Sequence, residues 1–159
     1  MKGVTPRPSL AFIIVALMGA ALNLCGTCYG DSEQDLLIKR AQNCDRKGLA
    51  ALLEKGADPN AKRPGDEATL LILSATCGHI EVVRSLLRRG ADVNLPNRNG
   101  WTPLMAAVAK GHEAVVELLL AHGADPNMRH AYGWTALKLA TQKGSKNMED
   151  LLRKHGAHK

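Results

Sequence analysis

A short phrase, Gly-Ala followed by Asp in three of its four copies, recurs at a fixed interval along this chain of 159 residues. The copies begin at Gly56, Gly90, Gly123 and Gly156, so the successive spacings are 34, 33 and 33 residues. A constant spacing of this size predicts one supersecondary unit stacked on copies of itself, each unit contacting its neighbours. We therefore expect an array whose function lies on a surface.

The copy at residues 99–127 shows what the unit contains. Thr102 can accept hydrogen bonds from free backbone N–H groups as an N-cap, and Pro103 suits the first helical position because it has no N–H to lose. Gly111 can adopt the left-handed backbone that ends a helix, and a second apolar segment then runs to Gly123. Helices this short are unstable alone in water, so neighbouring units must cover their apolar faces.

These landmarks resemble the ankyrin repeat, whose signature is matched by Gly100-Trp101-Thr102-Pro103-Leu104, Gly111-His112, Val115-Val116-Glu117-Leu118-Leu119-Leu120 and Gly123-Ala124-Asp125-Pro126-Asn127. The resemblance covers roughly residues 35–158. It implies an all-α solenoid of four helix–turn–helix units joined by β-hairpin-like finger loops, with repeats near 35–60, 66–94, 99–127 and 132–158. In the last unit, Glu149 and Arg153 replace apolar residues of earlier second helices and predict a polar end cap.

The amino terminus has the order of a secretory signal. Lys2 and Arg7 precede an uncharged run over residues 10–24, and the small-x-small segment Cys28-Tyr29-Gly30 follows. We predict cleavage after Gly30, which leaves residues 31–159 as one domain. An uncut anchor is a second interpretation, although 15 residues at about 1.5 Å each fall short of the roughly 30 Å hydrocarbon core. Lipid attachment at Cys25 or Cys28 is a third.

Charge gives a weaker indication of the partner. The chain has 21 Lys and Arg and 15 Asp and Glu; two of the basic residues, Lys2 and Arg7, lie in the signal, so the remainder carries a net charge of +4. We interpret the basic clusters as solvated faces and expect no nucleic-acid partner. After removal of the signal we expect no stable membrane anchor and a monomer. The short leader and the absence of an Asn-x-Ser/Thr acceptor fit a bacterial periplasm, as well as a eukaryotic secretory route.

Cys44 and Cys77 remain after cleavage, and an oxidising compartment would favour a disulfide between them. They end the first helices of adjacent units, however, and packed helices lie about 8–10 Å apart, beyond the ~7 Å limit between disulfide Cα atoms. Spacing therefore favours two unpaired thiols, and a disulfide stays open because Cys44 lies in a turn. His79 and His112 fall in the Gly-His turn, where a structural hydrogen bond is expected. We predict no metal site and no cofactor.

In the ankyrin family, finger tips and the exposed side of the first helix form a concave groove that binds another folded protein. The matching positions here are Asp66, Glu67, Ile72, Thr76 and Cys77 in the second unit, Arg98, Asn99, Trp101, Met105, Ala109 and Lys110 in the third, and Ala131, Tyr132, Trp134, Lys138, Gln142 and Lys143 in the fourth. Trp101, Tyr132 and Trp134 are the aromatic residues after position 30, and all lie in fingers. Such residues are enriched in interface hot spots, although a finger Trp also packs on the neighbouring finger.

These features predict a periplasmic or secreted protein that binds a partner and inhibits, or protects against, an envelope enzyme or an imported toxin. One alternative is a stabilising partner of a periplasmic stress-defence enzyme, and another is an exported effector that binds a host protein. A third is a redox or metal sensor built on Cys44, Cys77 and the histidines. The sequence lacks a phosphate-binding loop, a nucleophile elbow and a zinc-protease helix, so we expect no catalysis.

Overall fold

The computed structural model describes residues 33–158, and this part of the chain contains eight α-helices. In chain order they are α1 (Glu33–Gln42), α2 (Arg46–Glu54), α3 (Leu70–Cys77), α4 (Ile80–Arg88), α5 (Pro103–Lys110), α6 (Glu113–Ala121), α7 (Ala136–Gln142) and α8 (Lys146–Lys154). Consecutive helices pack as four pairs, and the first helices of the pairs stack in the order α1, α3, α5, α7. The predicted all-α solenoid is confirmed.

The predicted signal segment, residues 1–30, and its cleavage site lie outside the described residues. Within residues 33–158, none of the helices is both long enough and apolar enough to cross a bilayer.

The first helices of the last three pairs each begin after a threonine, and two of them end at a glycine. Thr69, Thr102 and Thr135 are their N-caps, and each side chain accepts a hydrogen bond from the backbone N–H three residues later, at 3.2 to 3.3 Å. These bonds satisfy one of the donors that a helix N-terminus leaves free. Gly78 and Gly111 end α3 and α5 in left-handed conformations, with φ of 73° and 80°. The start and the stop predicted for the third unit are confirmed.

The core runs through the stack as one apolar cluster. The largest fully buried side chains come from first and second helices alike: Leu37, Leu49, Leu53, Leu70, Leu71, Val82, Leu86, Leu104, Met105, Leu119, Met148 and Leu152. At one register position of the first helices the residues are Ser74, Ala107 and Ala140, all buried. Small side chains at this position allow the first helices to approach each other closely.

Asparagine side chains connect each finger base to the next. The Oδ1 atoms of three asparagines accept from backbone N–H groups of the following unit, in the pairs Asn60–Asp92 at 3.1 Å, Asn94–Asp125 at 2.8 Å and Asn127–His158 at 3.0 Å. The repeating unit is therefore held by side-chain hydrogen bonds as well as by apolar packing.

In the last helix, Arg153 Nη2 lies 3.7 Å from Glu149 Oε2, which is the ion pair expected of a polar cap.

Candidate functional site

The finger tips of the second, third and fourth units lie side by side and are joined through their backbones. The N–H of Arg98 donates to the carbonyl of Asp66 at 2.9 Å, and the N–H of Ala131 donates to the carbonyl of Asn99 at 2.8 Å. Gly100 permits this approach, because its φ is 79° and a Cβ there would lie 3.0 Å from the Arg129 carbonyl oxygen. The array thus holds the finger tips in a fixed register.

Each of the last two fingers is closed by a side chain at its base. Asn97 Oδ1 accepts from the N–H groups of Asn99 at 3.0 Å and Trp101 at 2.9 Å. In the next finger, the His130 ring Nδ1 accepts from the Tyr132 N–H at 3.3 Å, and the His130 backbone N–H donates to the Trp134 carbonyl at 2.8 Å. These hydrogen bonds order the tips, so side chains there are presented with little loss of conformational freedom when a partner binds.

Three aromatic rings form a ladder across these two fingers. The Trp101 and His130 rings meet edge to face with centroids 5.4 Å apart, and the His130 and Tyr132 rings are 5.3 Å apart. Trp101 is partly buried against the core, so its packing on the next finger is the structural use that the sequence left open. Tyr132 is 84% exposed. We call the edge formed by Arg98, Asn99 and Tyr132 the finger row.

The acidic residues of the second finger are engaged within the array. Arg63 Nε donates to Asp66 Oδ1 at 2.8 Å, and Arg98 Nε donates to Glu67 Oε1 at 3.0 Å. The hydrogen bond from Arg63 lowers the pKa of Asp66, and the one from Arg98 lowers the pKa of Glu67. Lys62 Nζ lies a further 3.6 Å from Glu67 Oε2. These carboxylates are neutralised locally by cations, so they add little negative charge to the face.

Two predicted binding residues are corrected by the structure. Ile72 is 4% exposed and Met105 is 1% exposed, so neither side chain can contact a partner on the surface. Both occupy a register position that the stacking of first helices covers. Lys138 occupies the same position in α7 and is exposed, because no further first helix follows α7 in the described residues. The prediction that Ile72 and Met105 line a groove is wrong, since this position faces the neighbouring unit.

The outer side of α7 lines a cavity of about 380 Å³, which we call the end cavity. Its lining residues are Trp134, Thr135, Leu137, Lys138, Thr141, Gln142 and Arg153. The structure therefore brings three predicted residues, Trp134, Lys138 and Gln142, around one concavity. The other four lining residues, Thr135, Leu137, Thr141 and Arg153, were missed, because the cavity lies beside the last described first helix and is marked by no motif.

The other predicted positions divide by exposure. Asn99, Ala131, Lys110 and Lys143 are exposed. Ala109 and Thr76 are half-buried, and the Thr76 hydroxyl donates to the Ile72 carbonyl at 2.8 Å, so it is used within α3. Three of the predicted positions on α5 and α7, or directly after α7, carry an exposed charge, and all three are lysines: Lys110, Lys138 and Lys143.

Cys77, also predicted on the face, is joined to Cys44 by a disulfide with 5.7 Å between the Cα atoms. The distance between packed helices does not keep these two sulfurs apart, because Cys44 lies beyond the end of α1. Its left-handed backbone, with φ of 54°, occupies the turn position that Gly78 and Gly111 fill in later units. The expected histidine contacts are present: His79 Nε2 lies 2.8 Å from the Cys44 carbonyl and His112 Nε2 lies 3.1 Å from the Thr76 carbonyl.

Comparison with known proteins gives consistent matches. A family model described as Ankyrin repeats (3 copies) matches residues 37–130. The chain is similar to the Notch-regulated ankyrin repeat-containing protein of Xenopus laevis, with 33% identity over 84 residues that cover 51% of this chain and 74% of that protein. It is also similar to two proteins of Mus musculus. Ankyrin repeat domain-containing protein 13B is 46% identical over 52 residues, and 2-5A-dependent ribonuclease is 37% identical over 75 residues.

These two matches cover 33% and 47% of this chain, but only 7% and 10% of the two mouse proteins. The chain thus spans a tenth or less of their length, and the shared part is the repeat array.

Proposed function

The chain belongs to the ankyrin-repeat family, whose repeats are protein-interaction modules, and we propose that it acts by binding another folded protein through the finger row and the end cavity. On this proposal the fourth helix pair counts as a full repeat and contributes most of the binding residues. The protein works by binding rather than by catalysis.

The observation that carries this proposal is the exposure of Tyr132. Within residues 33–158, the large apolar side chains exposed to solvent are Leu36 at 36% and Tyr132 at 84%. The Tyr132 ring is supported by His130, which is supported in turn by Trp101. A Tyr or Trp side chain held in place at a protein surface provides a large contact area with a polar end, which is the pattern of an interface hot spot.

The charge of the face indicates the kind of partner. Asp66 and Glu67 are paired with basic residues of the array. Lys110, Lys138 and Lys143 are exposed, and the end cavity adds Arg153, which is paired with Glu149 at 3.7 Å. Opposite charge across an interface accelerates association and favours matching partners. We propose that the partner presents an acidic surface with an apolar element that fits beside Trp134.

We propose a periplasmic or secreted location. The basic, apolar and small-x-small order of residues 1–30 supports a secretory signal, and the Cys44–Cys77 disulfide supports an oxidising compartment. In such a compartment the partner would be an envelope enzyme or a toxin that the protein inhibits, or an enzyme that it stabilises. An inhibitor abolishes the partner's activity in a stoichiometric complex, whereas a stabiliser preserves it.

The test is affinity capture from an envelope fraction with the tagged protein, followed by measurement of the affinity for the captured partner. Tyr132→Ala should weaken binding by about 2 kcal/mol or more, which is roughly 30-fold. Leu36→Ala is the matched control, because it removes the other exposed large apolar side chain from a different unit. Equal affinity of the two variants would contradict the proposal.

A second pair of variants tests the charge argument. Lys110→Glu with Lys143→Glu should slow association and reduce its dependence on salt. Lys146→Glu with Lys154→Glu makes the same change of net charge on α8, where both residues are exposed, and should have little effect. Equal slowing by both double variants would mean that net charge, rather than this face, attracts the partner.

A further inference from the structure

The turn after α1 differs chemically from the turns after α3 and α5. Gly78 and Gly111 occupy those turns, whereas Cys44 occupies the first and its backbone adopts the same left-handed region. Beside Gly78, the ring of the following unit's His112 lies so close that a Cβ on the glycine would be 2.7 Å from Nδ1. A side chain at this turn position therefore faces a histidine ring, and in the first turn that side chain is a thiol.

Three atoms that bind soft metals converge at this corner. The sulfurs of Cys44 and Cys77 and a ring nitrogen of His79 all lie within 4.8 Å of one another. His79 Nε2 lies 2.8 Å from the Cys44 carbonyl. A neutral histidine that donates from Nε2 to a carbonyl keeps its lone pair on Nδ1, and this is how metal-binding histidines are commonly oriented.

We propose that reduction of the Cys44–Cys77 disulfide by a dithiol converts this corner into a binding site for a divalent cation of the zinc class. The ligands are the two thiolates and a His79 ring nitrogen, which leave one coordination position for water. Two cysteines and one histidine form a known open zinc ligand set. Thiolates sharing one tetrahedral zinc lie about 3.8 Å apart, as follows from Zn–S bonds of about 2.3 Å. The Cα separation of 5.7 Å allows the sulfurs to move to that distance.

The conversion needs only the dithiol and the cation as reactants. A thiolate of the dithiol attacks one sulfur of the disulfide, and the resulting mixed disulfide is resolved by the second thiol. The products are two protein thiols and one oxidised dithiol. Each protein thiol then releases a proton to solvent as its sulfur binds the cation. Disulfide formation consumes both ligands, so the metal-bound and the oxidised forms exclude each other.

The site is open to solvent and separate from the finger row. Cys44 is exposed, and Cys77 and His79 are half-buried, so a hydrated cation can reach them. The three residues belong to the first and second helix pairs, whereas the finger row belongs to the third and fourth units. Failure of this proposal therefore leaves the proposed binding function untouched.

The test uses the full chain with Cys25→Ser and Cys28→Ser, because those two residues are the other thiols of the sequence. The protein is reduced with a dithiol, freed of reagent without oxygen, and titrated with Co²⁺ as a spectroscopic substitute for zinc. We expect one cobalt per chain, with thiolate-to-cobalt absorption and the strong visible bands of tetrahedral coordination. Zn²⁺ should displace the cobalt, and the oxidised protein should show none of these bands.

Three variants identify the ligands. Cys77→Ser should abolish the thiolate absorption of a two-sulfur site. His79→Gln keeps an N–H donor for the Cys44 carbonyl, so the turn is preserved, and it should weaken cobalt binding at least tenfold. His112→Gln changes the equivalent histidine beside Gly78, where there is no thiol, and should bind cobalt as the parent does. Absence of thiolate bands in the reduced parent, or equal affinity of the two glutamine variants, would overturn the proposal.

Discussion

The side chain of Asn94 binds the backbone of Asp125 in the next finger: its Oδ1 accepts from the Asp125 N–H at 2.8 Å. The same amide donates from Nδ2 to the Gly123 carbonyl at 3.2 Å. Asn127 repeats the arrangement one unit later, with Nδ2 3.1 Å from the Gly156 carbonyl. Asparagine supplies the donor and the acceptor that this junction needs, and aspartate or alanine cannot supply both.

Asn94→Ala should lower the free energy of unfolding by about 2 kcal/mol, because two hydrogen bonds between units are lost and each contributes about 1 kcal/mol. Urea denaturation followed by circular dichroism measures the change. Asn147→Ala is the control, since Asn147 is an exposed residue of α8, and its effect should stay within about 0.5 kcal/mol. Equal losses of unfolding free energy in the two variants would mean that the asparagine hydrogen bonds do not hold neighbouring fingers together.

Met105 and Lys138 occupy equivalent positions of α5 and α7, and two single substitutions test whether stacking determines the burial of this position. Met105→Lys places a charge where the side chain is 1% exposed, and should cost at least about 3 kcal/mol of unfolding free energy. Lys138→Met changes the exposed position of α7 and should alter stability by less than about 0.5 kcal/mol. A similar cost for both substitutions in thermal melts would refute the assignment.

Thr102 and Gly111 show where prediction from the sequence succeeds, and Met105 and Lys138 show where it stops. Thr102 and Gly111 define helix ends through local hydrogen bonds and backbone conformation, so the pattern alone predicts the helix pairs. Exposure of Met105 or Lys138 depends on whether another helix covers them, which no local pattern encodes. Arg153 was missed for the same reason, because its place in the end cavity depends on there being no further first helix beside α7 in the described residues.

The Cys44–Cys77 bond could not be derived from helix spacing for a related reason. The spacing between packed helices describes residues within the helices, and Cys44 lies just past one. A left-handed turn residue at φ of 54° places its side chain in a direction that a helical residue cannot reach. The bond could be predicted only from the backbone conformation of Cys44, which occupies a turn position that is glycine in the next two units.

Ser74 offers a stabilising substitution. Its Oγ is buried and has no hydrogen-bond partner in the described part of the chain, whereas alanine occupies the equivalent positions 107 and 140. Ser74→Ala removes a buried polar atom without changing the packing of the small side chain, so unfolding should require about 1 kcal/mol more. Denaturation curves that show a loss of stability would mean that the hydroxyl is hydrogen-bonded after all.

Acid should destabilise the array through three carboxylates. The N–H of Gly48 lowers the pKa of Asp45, Arg63 lowers that of Asp66 and Arg98 lowers that of Glu67. A carboxyl whose pKa is depressed in the folded state stabilises it fully above the unfolded-state pKa and loses that contribution as pH falls through the folded-state pKa. Since the ordinary values are 3.8 for Asp and 4.5 for Glu, stability should begin to fall below about pH 4.5.

Urea denaturation between pH 7 and pH 3 measures this dependence. Asp66→Asn should flatten the acidic part of the curve, because the asparagine cannot take up a proton. A curve with no decline down to pH 3 would show that these ion pairs contribute nothing to folding.

The most direct test of the binding face is amide hydrogen exchange of the protein alone and in complex with its captured partner. We predict slower exchange on binding in the finger segments 97–102 and 130–134 and in α7, with unchanged exchange in the second helices α4 and α6. Protection confined to the second helices, with the finger segments exchanging as in the free protein, would contradict the proposed mode of binding.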